Sequence, residues 1–186
     1  MDFIDVIKTR KSIRDFSNKP ISDKILNEIL ISGQLAPSCQ NRQCWRYLVV
    51  KDKNLINKLA LHSGLIGKVN FFIKNAPVII VATADPQNSC YLNDQHYYLV
   101  DVGISFQQMM LTAWNFGIGS CWLAAFNEQK VKFILDIPDS YKVVALSPFG
   151  YPKDEKSLYS KVVSTFAKSK KRKSLEEIIM PDKWKS

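Results

Sequence analysis

Two arginines and a serine lie within five residues near the N-terminus, in the stretch Arg10-Lys11-Ser12-Ile13-Arg14. Arg10 and Arg14 are four residues apart, so on a helix end they would project from one face. Planar guanidinium groups donate hydrogen bonds in a fork that matches phosphate oxygens. An isolated motif of this length is more often a solvated cationic turn. The interpretation as a phosphate site therefore depends on other polar groups in the chain.

A second polar cluster follows about thirty residues later, in Ala36-Pro37-Ser38-Cys39-Gln40-Asn41-Arg42-Gln43-Cys44-Trp45. Its hydroxyl and amide groups are suited to hydrogen-bonding a heteroaromatic ring. The chain has no nucleophile elbow, no Walker loop and no glycine-rich dinucleotide fingerprint. It also has no close pair of carboxylates for glycosidase chemistry. This pattern favours an enzyme in which a bound cofactor performs the reaction and no side chain acts as the catalyst.

Length and charge limit the choices further. The chain has 186 residues, which predicts one domain over 1–186. Its net charge of +9 attracts anions over a long range. Nucleic acid, a membrane surface and a phosphorylated small molecule all fit that charge.

The four cysteines, Cys39, Cys44, Cys90 and Cys121, form no Cys-x-x-Cys pair, and there are two histidines. No metal site is expected from this spacing. The N-terminus does not read as a signal peptide, and the longest mostly apolar run, 76–84, is well short of the roughly 18 residues that span a bilayer. We expect a cytoplasmic protein with reduced cysteines and no membrane partner. For Cys39, a small buried filler is favoured over a reactive thiol.

Hydrophobic periodicity predicts helices and strands in mixed order. Apolar residues at helical spacing predict helices over 3–10, 22–33, 53–61, 97–116 and from 127 onward. Apolar runs predict strands over 47–50, 78–82 and 142–146, the second covered on both faces. Residues 119–125 are predicted as a further strand that runs into a loop. Strict βαβ alternation is absent, which indicates an α+β fold. The helix over 97–116 is apolar enough to be central or packed on another subunit.

Residues 161–173 hold six basic residues and no acidic one. Such a run is typical of a solvated segment or a nucleic-acid arm. An ordered-looking pattern resumes at 175–179, which favours a position on the body of the protein. Aromatic stacking motifs are scarce near this run, so we expect no nucleic-acid partner.

Five motifs in register resemble the flavin nitroreductase superfamily over almost the whole chain. The stretch 10–14 is similar to its Arg-x-Ser-x-Arg/Lys element, and 36–45 is similar to its Ala-Pro-Ser-x-x-Asn-x-Gln-Pro-Trp element. Residues 101–122 resemble its central helix and following strand. Phe149-Gly150-Tyr151-Pro152 matches its Gly-Tyr-Pro turn, and 170–177 matches its basic closing segment.

The resemblance implies a nitroreductase-like α+β fold, with a central, mostly antiparallel sheet flanked by helices, in an intertwined homodimer with FMN at the subunit interface. By that analogy Arg10, Ser12 and Arg14 hold the ribityl phosphate and the N1/O2 edge of the ring, and Lys170 and Arg172 complete the phosphate site. Pro37, Ser38 and Asn41 of the other subunit touch the isoalloxazine. Backbone N–H groups near Ala124 and Ala125 face N5 and O4. The implied cofactor-binding set is Arg10, Lys11, Ser12, Arg14, Pro37, Ser38, Cys39, Asn41, Leu123, Ala124, Ala125, Lys170 and Arg172.

The implied activity is the ping-pong reduction of nitroaromatic, quinone or related small acceptors, with NADH or NADPH as reductant and hydride transfer at FMN N5. The alternative is a flavin-binding or flavin-processing protein of the same fold with little reductase turnover. The choice between NADH and NADPH and the physiological acceptor stay open.

Two departures from the family pattern predict local differences in the backbone. Cys44 stands where proline is usual, which predicts a less rigid loop. Ala124 and Ala125 stand where glycines are common, and they would be strained at positive φ. Residues 62–75 and 86–97 are expected to form a variable lid that sets specificity.

Overall fold

The structure is a computed structural model that describes residues 1–64, 70–154, 157 and 172–184. The chain divides into two compact units, Met1–Asp154 and Glu155–Ser186. In the second unit, the described residues 172–184 form turns and bends, with the Ile178 N–H donating to the Leu175 carbonyl at 3.1 Å. Most of the basic run over 161–173 lies outside the described residues. One domain over the whole chain stays a prediction.

The first unit contains the predicted helices. They are α1 (Phe3–Thr9), α2 (Asp23–Gln34), α3 (Lys53–His62), α4 (Tyr97–Asn115) and α5 (Glu128–Leu135). The expected N-caps are confirmed: the Ser22 side chain accepts from the Ile25 N–H, and the Asn127 side chain accepts from the Lys130 N–H. Gly117 follows the end of α4 at φ 74°, a left-handed conformation that suits glycine at a helix C-terminus.

Six strands are described in the first unit: β1 (Trp45–Val50), β2 (Val78–Ala84), β3 (Tyr91–Leu92), β4 (Gln95–His96), β5 (Gly119–Ser120) and β6 (Lys142–Gly150). Four of them form an antiparallel sheet in the order β1-β2-β6-β5, and β3 and β4 pair as a separate hairpin. The expected α+β class with a mostly antiparallel sheet is confirmed.

The stretch predicted as a strand running into a loop, 119–125, is a shorter strand than expected, since regular pairing ends at Ser120. The Cys121 N–H donates to the Ser147 hydroxyl at 3.1 Å instead of to a main-chain carbonyl. Pairing resumes only at Leu123, which exchanges two backbone hydrogen bonds with Leu146 at 2.8 and 3.1 Å. The predicted end of the last strand at 146 is wrong, because β6 continues through Pro148 to Gly150. Pro148 has no N–H to donate, and it lies where the ladder to β5 is interrupted.

Apolar side chains cover both faces of the sheet, as β2 shows along its length. On one face, Ile80 packs with α2 and α4, as do Val78, Ala82 and Ala84. On the other face, Ile79 and Val81 pack with α3 and α5. All seven residues of β2 are buried, which confirms the prediction of cover on both faces. The result is a layered unit in which α4 lies against one face of the sheet.

Helices α2 and α4 approach closely at Gly33. A Cβ atom at Gly33 would lie 2.2 Å from Met109 Cε, so a side chain there requires Met109 to move. The Ser105 hydroxyl donates to the Gly33 carbonyl at 2.6 Å, and it is also hydrogen-bonded to the Tyr47 hydroxyl. This chain of contacts joins β1, α4 and α2, and fixes the end of α2 from which the second polar cluster begins.

Candidate active site

The Arg10–Arg14 segment is extended and not helical. Helix α1 ends at Thr9, and the Ile13 N–H then donates to the Ser120 carbonyl at 2.9 Å, with Ser12 in a parallel bridge to Ser120. Alternate residues of an extended segment point to the same side. Arg10, Ser12 and Arg14 therefore share a side through a period of two residues, and the helical reason given for their common face is wrong.

Glycine at 119 makes this arrangement possible. A Cβ atom there would lie 2.4 Å from Ile13 Cγ1 and 2.6 Å from Ile13 Cβ. Ile13 is buried and branched at Cβ, so it has little freedom to move aside. The absence of a side chain at Gly119 lets the segment lie directly against β5.

The buried thiol of Cys121 marks the centre of the first cluster. Burial raises the pKa of Cys121, while the positive charge of Arg14, a hydrogen bond with Ser12 and the charge of Arg10 act in the opposite direction. All three predicted side chains therefore act on one group, the Cys121 thiol. Within residues 1–64, 70–154, 157 and 172–184, neither Arg10 nor Arg14 forms an ion pair with a carboxylate.

Two guanidinium groups and a hydroxyl without an acidic partner among the described residues fit a multiply charged anion. Arg10 and Arg14 are half-buried, and Ser12 is exposed. Lys11 lies apart from them, with its Nζ 5.9 Å from the centre of the Trp114 ring. The donor set thus suits a phosphate group, and Lys11 contributes to packing on α4.

The predicted ring-binding residues lie in the 36–43 loop, which follows α2. Pro37 and Asn41 are exposed, whereas Ser38 and Cys39 are half-buried. The Ser38 hydroxyl accepts the Gln43 N–H at 3.0 Å, and Gln43 Nε2 donates to Asn41 Oδ1 at 3.0 Å. The loop therefore uses part of its polar groups to hold its own shape.

The backbone of the 36–43 loop is strained. Gln40, Asn41 and Gln43 have φ of 50°, 54° and 47°. A left-handed conformation costs an L-residue with a side chain roughly 1–2 kcal/mol. Three such residues within four positions persist only when the surrounding structure holds them.

Two remote contacts hold this loop. The Cys39 N–H donates to Asp101 Oδ1 of α4 at 3.0 Å. A disulfide joins Cys39 to Cys90, whose Cα atoms are 6.1 Å apart. The prediction of reduced cysteines is wrong for this pair, and Cys39 is neither a free thiol nor a simple filler. The spacing along the chain does not reveal the pair, because the fold brings the two residues together across 51 positions.

Cys44 ends the loop and is fully buried in the core. Its Sγ lies 3.8 Å from Asp101 Oδ2, and its carbonyl accepts the Asp85 N–H at 2.9 Å. Burial raises the pKa of Cys44 first, and the charge of Asp101 raises it further. The thiol thus packs in place of the usual proline, and the end of the loop is anchored at this position.

The third predicted segment, 123–125, has an unstrained backbone. Ala124 and Ala125 do not have positive φ, so the expected strain is absent. The Ala125 carbonyl accepts from Asn70 Nδ2 at 3.0 Å, and the Ala124 carbonyl accepts the Phe126 N–H at 3.0 Å. Both alanines are exposed, and Leu123 is held by β6. The stretch after β5 thus has exposed residues, while both of its alanine carbonyls are hydrogen-bonded.

The two polar clusters lie near opposite ends of α4 within one chain. Thr9, next to the first cluster, accepts the Trp114 Nε1–H at 2.9 Å, and the 36–43 loop is bound to Asp101. Asp101 and Trp114 are 13 positions apart, or about 20 Å along a helix. The structure therefore places Arg10 near one end of α4 and the loop with Pro37, Ser38 and Asn41 near the other. Residues 123–125 lie apart from Arg10, since the neighbouring Trp122 ring is 5.2 Å from Phe106 in the middle of α4.

The remaining predicted residues lie elsewhere. Lys170 is outside the described residues, and Arg172 is exposed in the second unit. Sequence reasoning missed the roles of Asp101, Cys90 and Cys121. Asp101 had a usable signal, since it is an acidic residue on the apolar side of a helix, and buried charges are rare without a partner.

Comparison with known proteins identifies the family. The sequence model of the nitroreductase family matches residues 7–65 and 67–151. The chain belongs to the nitroreductase family. A protein of Archaeoglobus fulgidus that is named as an NADH dehydrogenase/NAD(P)H nitroreductase is 36% identical to this chain, over 83% of this chain and 87% of its own length. This nitroreductase-family chain is accordingly an NAD(P)H-dependent oxidoreductase of the nitroreductase type.

Solved structures agree with this assignment. A nitroreductase family protein of Clostridium novyi NT is 38% identical and superposes with a TM-score of 0.78, over 83% of this chain and 87% of that one. An FMN-dependent nitroreductase of Clostridium difficile R20291 is 25% identical with a TM-score of 0.78, over 97% of this chain and 99% of that one. The nitroreductase fold predicted from the motifs is confirmed. Among the described residues, none of the helices has the length and apolar character needed to cross a membrane.

Proposed function

We propose that this nitroreductase-family protein uses FMN to transfer electrons from NADH or NADPH to nitroaromatic, quinone or related small acceptors. The observation that carries the proposal is the cluster of Arg10, Ser12 and Arg14, which lacks a carboxylate partner among the described residues. Such a cluster matches a phosphate, because each charge-assisted hydrogen bond contributes about 1.5–3 kcal/mol. The FMN-dependent relative from C. difficile has the same fold.

The side chains of the first cluster act together in this proposal. Arg10, Ser12 and Arg14 bind the phosphate and the N1/O2 edge of the ring. When bound, FMN supplies hydride transfer at N5, first from the nicotinamide and then to the acceptor. A guanidinium fixed near N1/O2 stabilises the negative charge that accumulates there, at no cost of reorganisation. The main chain at Ala124 and Ala125 offers N–H groups to N5 and O4.

The site needs two copies of the chain in this proposal. The contact of Thr9 with Trp114 and that of Cys39 with Asp101 are about 20 Å apart along α4. In this proposal the flavin bound at Arg10 and Arg14 is reached by Pro37 and Asn41 of the partner protomer. Lys170 and Arg172 as further phosphate ligands, and the cytoplasmic location, stay predictions.

Exposed apolar side chains support such a homodimer. On α1, Phe3 is 66% exposed and Ile7 is 49% exposed. On α4, Leu99, Val100 and Ile104 are 52%, 49% and 41% exposed. The opposite side of α4 is packed in the core, so this helix is apolar on both sides, as expected for a helix between two protomers.

Two measurements test the proposed function. Protein stripped of ligand is titrated with FMN, and binding is followed by the quenching of flavin fluorescence and by sedimentation of the complex. We expect one FMN per chain and a dimer. The bound complex is then mixed with NADH or NADPH and a nitroaromatic or a quinone, and acceptor-dependent nicotinamide oxidation is expected. Absence of FMN binding would refute the proposal, whereas binding without turnover would favour a flavin-binding protein with little reductase activity.

A further inference from the structure

Three links join the 36–43 loop to residues 88–90. The Cys39–Cys90 disulfide is covalent. Beside it, an Arg42 guanidinium N–H donates to the Ser89 carbonyl at 3.1 Å, and Asn88 Nδ2 donates to the Arg42 carbonyl at 3.3 Å. The β3–β4 hairpin begins at the next residue, Tyr91. The predicted ring-binding loop and the predicted lid are thus tied together at one point.

The disulfide is the main constraint at this point. Arg42 and Asn88 are exposed, so water competes for their two hydrogen bonds, whereas the disulfide is covalent. The 36–43 loop meanwhile holds Gln40, Asn41 and Gln43 in the left-handed region. A loop strained in this way relaxes when the contacts that hold it are reduced. Breaking the Cys39–Cys90 bond would remove the strongest of those contacts.

We propose that the Cys39–Cys90 disulfide is a reversible redox switch that orders the 36–43 loop and thereby sets the affinity of the protein for FMN. The effect on FMN rests on the proposed function, whereas the effect on the loop does not. In the oxidised state the loop and the hairpin move as one body. In the reduced state the loop leaves its strained conformation and presents Pro37 and Asn41 less often in the binding geometry.

A small dithiol can reduce this bond in a balanced two-electron exchange. One thiolate of the dithiol attacks Cys39 Sγ, because Cys39 is partly exposed while Cys90 is only 6% exposed. The S–S bond breaks, and Cys90 leaves as a thiolate that takes a proton released by the dithiol. The second thiol then attacks the mixed disulfide and frees Cys39. The dithiol is oxidised to a cyclic disulfide, and the protein gains two thiols.

The neighbouring thiol does not interfere with this exchange. Cys44 contacts the same carboxylate, Asp101, that accepts the Cys39 N–H. Its burial and the charge of Asp101 keep Cys44 protonated, and a protonated thiol is a poor nucleophile. The disulfide is therefore expected to re-form between Cys39 and Cys90 instead of shifting to Cys44.

The test compares the oxidised protein, the protein reduced with dithiothreitol, and the Cys39→Ser/Cys90→Ser double variant, all stripped of ligand. Thiol titration in denaturant counts free cysteines, with two expected before reduction (Cys44 and Cys121) and four after it. Hydrogen exchange of amides in 38–43 and 89–96 measures order. FMN affinity is measured by fluorescence titration of the same samples. Dithiothreitol added to the double variant is the matched control. It should change neither the hydrogen exchange of the loop nor the FMN affinity.

We expect faster exchange in 38–43 on reduction, reversal on reoxidation, and FMN affinity that is weaker by roughly tenfold if the reduced loop is competent about a tenth of the time. The double variant should resemble the reduced protein. Equal rates of amide hydrogen exchange in 38–43 in the oxidised and reduced proteins would overturn the proposed switch. Faster exchange with unchanged FMN affinity would overturn its link to the flavin. Failure of all samples to bind FMN would refute the proposed function, and the exchange data would still decide whether the loop responds to reduction.

Discussion

The Arg10–Arg14 segment and the 36–43 loop are both short polar stretches, but different forces hold them. The first is fixed by the backbone, through the Ile13–Ser120 hydrogen bond and the close approach at Gly119. The second is held by remote side chains, namely Asp101 and the disulfide partner Cys90. The first keeps its charged groups available for a ligand, whereas the second uses polar groups to maintain a strained shape. Backbone support makes the proposed anion site robust, and side-chain support makes the loop adjustable.

The largest expected effect concerns the support of the 36–43 loop. Cleavage of the Cys39–Cys90 bond, by dithiothreitol or in the double serine variant, should lower the free energy of unfolding by about 2–4 kcal/mol. The cause is the greater freedom of the unfolded chain once the link between two residues 51 positions apart is opened. Urea unfolding at a fixed protomer concentration measures the change. If the reduced and oxidised proteins unfold at the same urea concentration, the disulfide does not support the 36–43 loop. The contrast with the backbone-supported Arg10–Arg14 segment would then be wrong.

The second prediction weakens the anion site itself. Arg14→Ala should reduce FMN affinity by roughly 10- to 150-fold, since it removes about 1.5–3 kcal/mol of charge-assisted hydrogen bonding. The protein should remain folded, because Arg14 forms no ion pair with a carboxylate among the described residues. Lys24→Ala removes one exposed positive charge from α2 and serves as the control. Equal FMN affinity in Arg14→Ala and Lys24→Ala would remove Arg14 from the phosphate site.

The third prediction tests backbone support with two glycines. Gly119→Ala places a Cβ against stiff Ile13 and should cost about 1–3 kcal/mol of unfolding free energy. Gly33→Ala meets Met109 at Cε and Cγ, but Met109 is unbranched and the alanine gains about 1 kcal/mol of helix propensity, so its net cost should be smaller than that of Gly119→Ala. Urea unfolding of both variants gives the comparison. A larger loss for Gly33→Ala would contradict the stated role of Gly119.

A smaller effect is expected at the carboxylate that holds the loop. Asp101→Ala leaves the partly buried Cys39 N–H without its acceptor and should cost about 1 kcal/mol. Asp101→Asn keeps an oxygen acceptor at the same position and should recover most of that loss. Thermal unfolding and hydrogen exchange of the Cys39 amide measure both variants. The same protection of that amide in the alanine variant and in the parent would show that Asp101 does not hold it.

The smallest expected effect is a pH dependence of the free energy of unfolding. One buried thiol beside each of the two regions contributes to it. Burial raises the pKa of Cys121 beside the first region and of Cys44 beside the second. A raised thiol pKa means that the unfolded chain loses its proton first, so the free energy of unfolding falls as pH rises above the ordinary thiol value of about 8.5. Below that value the contribution is fully present. Urea unfolding from pH 7 to 10 should show a shallower decline in Cys44→Ala, and an unchanged slope would contradict this assignment.

Much of the fold was predictable because its signals are local. The N-caps Ser22 and Asn127, the glycine after α4 and the unbroken apolar run of β2 all act through neighbours a few residues away. The end of β6 was not predictable in this way. Pro148 normally ends a strand, and it is tolerated here only because the opposing ladder is interrupted at Cys121 and Ser147. That interruption depends on two segments that meet only in the folded chain.

The amino-acid sequence by itself determined the family, the α+β class and the cationic motif at Arg10–Arg14, because these depend on residue type and short-range spacing. The tertiary structure alone decided the extended register of that motif, the pairing of Cys39 with Cys90 and the burial of Asp101. It also decided that the two polar clusters lie near opposite ends of α4. These features join residues many positions apart, and their contacts form only when packing of the whole unit brings the chain together.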